Sequence, residues 1–133
     1  METKKVEIKG SGDIVTARQA GREMARELGF GSADQTRLAT AISELTRNVT
    51  QYAGMGFCTI VDNSDKNTIK IKATVEDTGP GIPDIDRALE QGYTTGGGLG
   101  AGLPGTKRLV QEFDIDSVPG QTVVTIVFSR RKI

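Results

Sequence analysis

The sequence predicts an α/β domain, and three observations carry that prediction. Segments near both ends and in the middle alternate apolar and polar residues with period two, as half-buried strands do. Two long segments instead repeat apolar residues at three- and four-residue spacing, the mark of helices with one buried face. Glycines stand at the joints between the two kinds of segment, where chain reversals need them. No linker or internal repeat interrupts the pattern, so residues 1–133 are expected to form one domain.

Lys5-Val6-Glu7-Ile8-Lys9 reads as the first strand, broken by Gly10-Ser11-Gly12. Asp13 is placed to cap a helix whose buried stripe is Ile14, Ala17, Gly21, Met24, Ala25 and Leu28, with Gly29 as its C′ residue. Ser32 and Gln35 have capping-box spacing, and Asp34 sits favourably in the positive first turn, so a second helix begins near Ala33. Its stripe is Leu38, Ile42, Leu45, Val49 and Tyr52, and it ends at Ala53-Gly54-Met55-Gly56. Phe57 to Val61 and Thr68 to Glu76 read as strands about a polar turn at 62–67; in the second, Ile69, Ile71, Ala73 and Val75 share one face. A short helix near Asp84 to Gln91 and a longer one near Ala101 to Phe113 follow. Strands near Asp114 to Val118 and Thr122 to Ser129 complete the chain.

With 133 residues the chain hides roughly two thirds of its unfolded surface on folding. The 17 basic and 17 acidic residues are interspersed, which leaves no electrostatic footprint for nucleic acid or for an anionic membrane. Cys58 stands alone, so no internal disulfide forms; no secretion signal is evident, and the expected compartment is the cytoplasm. No apolar run approaches the roughly 20 residues that span a bilayer.

Three pieces carry chemistry. Glu44 and Asn48, one turn apart on the second helix, fall on one line about a quarter-turn from the centre of its buried stripe. That edge position is expected to be half in water, so that a carboxylate stays charged to act as a base while the amide oxygen reaches a metal; Arg47 is expected to point away from the core. Magnesium prefers oxygen ligands and keeps several waters, so one amide with nucleotide phosphates completes its shell. Taken alone, the pair is equally an ordinary solvated face. Asp77 closes a strand and leads into Thr78-Gly79-Pro80-Gly81, where glycines let the backbone pass close to a flat ring and the carboxylate accepts a bond from an exocyclic amine. By itself this is also a good tight turn. Gly96-Gly97-Gly98-Leu99-Gly100-Ala101-Gly102 runs into an amphipathic helix, whose N-terminus offers N–H groups and a positive dipole end to phosphate. Its spacing is neither that of the P-loop nor that of a Rossmann unit, and a plain surface loop is the other reading.

Glu44-x-x-x-Asn48, Asp77-x-Gly79-x-Gly81 and Gly98-Leu99-Gly100-x-Gly102-Leu103 resemble, in order and interval, the N, G1 and G2 boxes of the GHKL ATPase/kinase superfamily. The stretches 41–45, 77–84 and 97–109 are similar to the serine/threonine switch kinases of bacterial stressosomes, of the anti-sigma-factor kinase type, and that likeness extends over nearly the whole chain. The resemblance implies a two-layer α/β sandwich of the Bergerat type, a mixed, mostly antiparallel sheet with helices on one face, with ATP held between helices and a lid. It implies Glu44 as general base, Asn48 as magnesium ligand and Asp77 as adenine contact. Gly79 and Gly81 would shape the base pocket, and the run from Gly96 to Gly102 would hold the phosphates. The family's later Gly-x-Gly-Thr turn stands here as Gly120-Gln121-Thr122, one glycine short, with Thr122 in the place of the threonine that braces the aspartate.

The chain contains no histidine, so it does not autophosphorylate on one, and no module for dimeric histidine kinases or force-transducing machines is expected in it. What is left is a small kinase whose acceptor is a separate protein. By resemblance that acceptor is a STAS-domain scaffold or antagonist, and the released kinase activates an output protein such as a phosphatase. The other reading is a binding module that uses ATP as a conformational ligand and acts by sequestration. Arg18, Arg22 and Arg47 lie on faces that either meet a partner or carry solvated charge, and Lys107 and Arg108 either reach the γ-phosphate or face water.

Overall fold

The computed structural model describes residues 2–79 and 102–132. Its elements are β1 (Thr3–Ile8), α1 (Ser11–Leu28), α2 (Ser32–Tyr52), β2 (Gly56–Asp62), β3 (Thr68–Asp77), α3 (Gly102–Leu109), β4 (Glu112–Val118) and β5 (Gln121–Arg131). The expected short helix at 84–91 lies outside the described residues.

The strands form a sheet in the order β1-β2-β3-β5-β4. The mixed sheet anticipated from the motifs is, among the described residues, antiparallel at every pairing. Register places Cys58 opposite Val6 and Val75, Ala73 opposite Ile126, and Ile71 opposite Phe128. Because side chains alternate along a strand, these residues share one face, and that face is buried under α1 and α2. The other face carries Lys5, Thr59, Thr74 and Thr125, exposed or half-exposed. On β4 the exposed Glu112, Asp114 and Asp116 alternate with the half-buried Phe113 and Ile115.

The core joins the inner sheet face to Ala17, Met24, Leu38, Ile42, Leu45 and Val49 of the helices. Phe30, between α1 and α2, meets Phe128 edge to face at 5.5 Å. Burial pushes the Cys58 thiol up to about 12, which leaves it an inert apolar filler. Tyr52, expected in the α2 stripe, is 46% exposed instead, in the last turn of the helix.

Three end effects differ from expectation. Asp13 is not the cap of α1: it sits inside the first turn, and its Oδ2 accepts the N–H groups of Lys9 at 2.8 Å and Gly10 at 3.2 Å, while Gly10 takes the cap position. The Ser32–Gln35 box does not form, since Ser32 is already helical and Gln35 donates its side-chain amide to the Phe30 carbonyl at 2.9 Å. Gly29 does close α1, with φ of 97°. Finally α3 stops at Leu109 and Phe113 belongs to β4, because the sheet captures the backbone first. Gln111 donates to the Val127 carbonyl at 3.0 Å, and its side-chain oxygen accepts the Ser129 N–H at 2.9 Å.

Asp34 ties the start of α2 to the end of the sheet. Arg130 donates to both of its oxygens, Nε to Oδ2 at 2.7 Å and Nη2 to Oδ1 at 2.8 Å, and Arg37 adds a bond to Oδ1 at 2.8 Å. The Arg130 hydrogen bond is the main cause that holds the Asp34 carboxyl below its ordinary value. A carboxyl lowered on folding stabilises the protein above its unfolded pKa of about 3.9 and loses that contribution as pH falls through the folded value. Arg130→Gln is therefore expected to lower the melting temperature at pH 7, and the difference from wild type shrinks below about pH 4, as calorimetry across that range would show.

Candidate functional site

Glu44 stands near the middle of α2, where the core stripe is densest. The expectation that it lies half in water is corrected: Glu44 is only 9% exposed. Arg47 does not point away from the core but donates Nη1 to Glu44 Oε1 at 2.6 Å. Angular counting from the backbone misses this because helical side chains lean toward the N-terminus, so a long arginine folds back over the residue three before it. Asn48, one turn after Glu44, is half-buried. Next to it, Val49 is fully inside the core.

Asp77 ends β3 on the inner side of the sheet, in step with the buried Ala73 and Val75. Gly56 faces it on β2 and Thr122 on β5. The sheet and α2 come together here because Gly56 has no side chain. A Cβ on it would lie 2.9 Å from Val49 Cγ1 and 3.2 Å from Asp77 Cβ, and would collide with the Glu76 carbonyl. The first glycine loop makes a second such contact: a Cβ on Gly79 would lie 2.6 Å from the Ala53 Cβ, just past the end of α2.

Two hydrogen bonds fix this loop. Asp77 Oδ1 accepts the Gly79 N–H at 2.9 Å, and the Gly79 carbonyl accepts the N–H of Gly120 at 3.0 Å. Thr122 is thus beside Asp77 in the ladder, buried, with its hydroxyl 2.7 Å from that of Ser117. Register brings it to the aspartate even though the turn is one glycine short.

Gly102 opens α3, as expected for a glycine run leading into a helix, and α3 packs on α2 with Leu103 and Thr106 buried. Lys107 and Arg108 are exposed in its last turn, as are Arg18 and Arg22 on α1. Gly81, Gly96, Gly97, Gly98, Leu99, Gly100 and Ala101 lie outside the described residues. Among those described, α2 and the β3 end therefore bring Glu44, Asn48, Asp77, Gly79 and Thr122 to one side of the sheet. A shallow groove at the same strand ends, lined by Met55, Phe57, Glu76 and Gln121, also takes in Asp77 of this cluster and Gly56 beside it.

The donor chemistry fits a nucleotide with its metal. No cluster of acids, cysteines or histidines able to hold a metal unaided exists among the described residues. A half-buried amide one turn from a carboxylate suits a cation that brings phosphate and water ligands of its own. The Gly79 N–H occupies Asp77 Oδ1, and among the described residues no hydrogen bond is made to Oδ2.

Comparison with known proteins bears on family and fold. Residues 33–132 match the family described as histidine kinase-, DNA gyrase B- and HSP90-like ATPase. The serine/threonine-protein kinase RsbT of Bacillus subtilis (strain 168) is 54% identical over 116 residues, covering 87% of each chain. Among solved structures, that of the RsbU and RsbW domains of Rv1364c from Mycobacterium tuberculosis superposes with a TM-score of 0.69 at 20% identity. It covers 98% of this chain, which spans 33% of that one. A SiaB–SiaC complex from Pseudomonas aeruginosa gives a TM-score of 0.59 at 13% identity, over 98% of this chain and 90% of that one.

The Gly79 contact generates a prediction about the loop. Gly79→Ala is expected to lower the melting temperature, because the new methyl group has to push Ala53 aside. Adding Ala53→Gly, which removes the nearest atom, is expected to recover part of the loss in the same thermal scan.

Proposed function

The chain belongs to the histidine kinase-, DNA gyrase B- and HSP90-like ATPase family, as a protein serine/threonine kinase of the RsbT kind, and from that premise we propose how it works. Residues 1–133 act as one kinase domain that binds ATP with magnesium and passes the γ-phosphate to a serine or threonine of a STAS-domain partner. The exchange is a partner switch in stress signalling: once its scaffold or antagonist is phosphorylated, the released kinase activates an output protein such as a phosphatase. The setting is the cytoplasm; among the described residues no helix is long and apolar enough to cross a membrane.

The observation that carries this reading is the line of functional groups along α2. Its end presses on the Asp77 loop at Ala53, and Glu44 lies nine residues earlier, about 13 Å up the axis at helical rise. An extended nucleoside triphosphate has comparable length, so a base held at Asp77 sends its last phosphate toward Glu44. Asp77 accepts the exocyclic amine through Oδ2, and Gly79 and Gly81 let the backbone lie against the ring. Thr122 braces that end from β5. The run from Gly96 to Gly102 gives its N–H groups to the phosphates at the start of α3. Asn48 would hold magnesium through its amide oxygen, where the metal would supply charge neutralisation for the phosphates.

Glu44 accepts the proton of the partner's hydroxyl as that oxygen forms its bond to the γ-phosphorus. The bond between the γ-phosphorus and the β–γ bridging oxygen breaks, and its electron pair leaves with ADP. Positioning and charge stabilisation do most of the work, and the base adds its share. A nucleotide-gated binding module with little transfer is the second reading. The occupation of Glu44 Oε1 by Arg47 is the one observation in its favour.

Transfer of labelled γ-phosphate from Mg-ATP to a STAS-domain protein decides between them. Glu44→Ala is expected to reduce transfer by about 10²- to 10⁴-fold while ATP binding persists; normal transfer by the variant removes Glu44 from its role, and no transfer by wild type that binds ATP favours the gated module. Asn48→Ala and Asp77→Asn are expected instead to lose the ATP-dependent rise in melting temperature, which at a hundredfold excess over Kd amounts to about 2.7 kcal/mol of stabilisation.

A further inference from the structure

Two carboxylates of α2 are paired with arginines, and they are paired differently. Asp34, in the first turn, receives donors on both oxygens from two arginines, so each of its oxygens is engaged. That is a structural clamp. Glu44 receives one donor on one oxygen, Nη1 of Arg47 to Oε1, and no other hydrogen bond reaches it among the described residues. The remaining ion pairs, Lys4–Glu23 and Lys9–Glu7, have acids whose side chains are about half exposed, at 52% and 46%. The Glu44 side chain is 11% exposed and that of Arg47 31%.

A carboxylate this buried is costly to keep charged without a partner, and a base must be charged to take a proton. Pairing with the Arg47 guanidinium offsets part of that cost, so stability gives one reason for the contact. Its geometry gives a better one. A guanidinium nitrogen at 2.6 Å makes a short charge-assisted bond that fixes the rotation of the carboxylate, and because it engages Oε1 alone, Oε2 keeps a free lone pair. Both groups ride on one rigid helix, so the carboxylate is oriented before any partner arrives.

We propose that Arg47 is the positioning residue of Glu44: it holds the carboxylate by Oε1 and presents Oε2 to the hydroxyl proton of the acceptor. The proposal rests on the reading of Glu44 as the base. Arg47 touches neither nucleotide nor acceptor in this role, and it gives up no proton, since guanidinium stays protonated at any working pH.

Steady-state transfer from Mg-ATP to the STAS-domain partner tests it, with five variants. Arg47→Gln, which keeps length and some donor capacity, and Arg47→Ala are expected to lower kcat on the order of 10- to 100-fold, the scale at which a misplaced group acts. KM for ATP and the ATP-dependent rise in melting temperature stay at wild-type values, which also shows that the variants fold. Arg47→Lys recovers part of kcat, because a charge still reaches the carboxylate but without the planar fork. On a Glu44→Ala background, Arg47→Ala costs nothing further, as required of a residue that acts only through Glu44. Unchanged kcat in Arg47→Ala overturns the assignment. So does a rise in KM for the partner alone, which would make Arg47 an acceptor contact, or a further loss on the Glu44→Ala background, which would give it an independent part. Faster transfer in Arg47→Ala would make the pair a latch and overturns it as well. Should Glu44→Ala itself transfer at the normal rate, the base reading fails first, and this one falls with it.

Discussion

The closeness of α2 to the β2–β3 end of the sheet is the constraint on which the site depends. Two glycines permit it: at Gly56 a side chain would run into Val49 and the Glu76 carbonyl, and at Gly79 into Ala53. Interiors pack at crystal-like density, so one methyl group at either place would lever the helix outward and carry Asn48 and Glu44 with it. Because the approach is made by backbone against side chain, it fixes the helix along its axis as well as its height over the sheet. That axial register sets the spacing between a carboxylate at the strand end and a carboxylate in mid-helix. The spacing of those two carboxylates is thereby held in part by Gly56, Val49 and Ala53, which carry no polar side chain.

Much of this was legible before any coordinates. The buried stripes of α1 and α2, the strand alternation and the glycine boundaries follow from period alone, because each depends on neighbours within one or two turns. Glu44 and Asn48 on one helix line, and Asp77 at a strand end, are local facts too. What stayed hidden depends on partners distant in sequence or on side-chain direction. Asp34 and Arg130 are 96 positions apart and nothing between them announces the pair. Ser117 and Thr122 meet only because a turn sets the register of β4 on β5. The end of α3 was misjudged since helical period continues through Phe113, while the open edge of β5 offers that backbone better hydrogen bonds. Arg47 had a signal, its three-residue spacing from Glu44, which angular counting outweighed.

Polar groups are divided by depth in a way that suits a protein acting on another protein. The outer sheet face and the far sides of the helices are charged and mixed in sign, and the inner face is apolar apart from a few threonines and serines whose hydroxyls are bonded at once to nearby carbonyls or to one another. No buried side-chain polar atom is left unsatisfied among the described residues. Glu44 is the one buried acid among the described residues, and since no buried polar atom goes unsatisfied, its uncommitted oxygen meets solvent. Local departures of this kind are where chemistry is to be sought, because a fold has no reason to keep them.

Among the described residues the sheet ends at β4, which has no strand beyond it and whose exposed side chains are Glu112, Asp114, Asp116 and Val118. A row of unpaired N–H and C=O groups is a template on which another chain can crystallise its own strand. Were two copies to join there, each would set its carboxylates against those of the other, a repulsive arrangement in antiparallel pairing. Edge-to-edge pairing at β4, the first step toward a fibre, is thereby disfavoured.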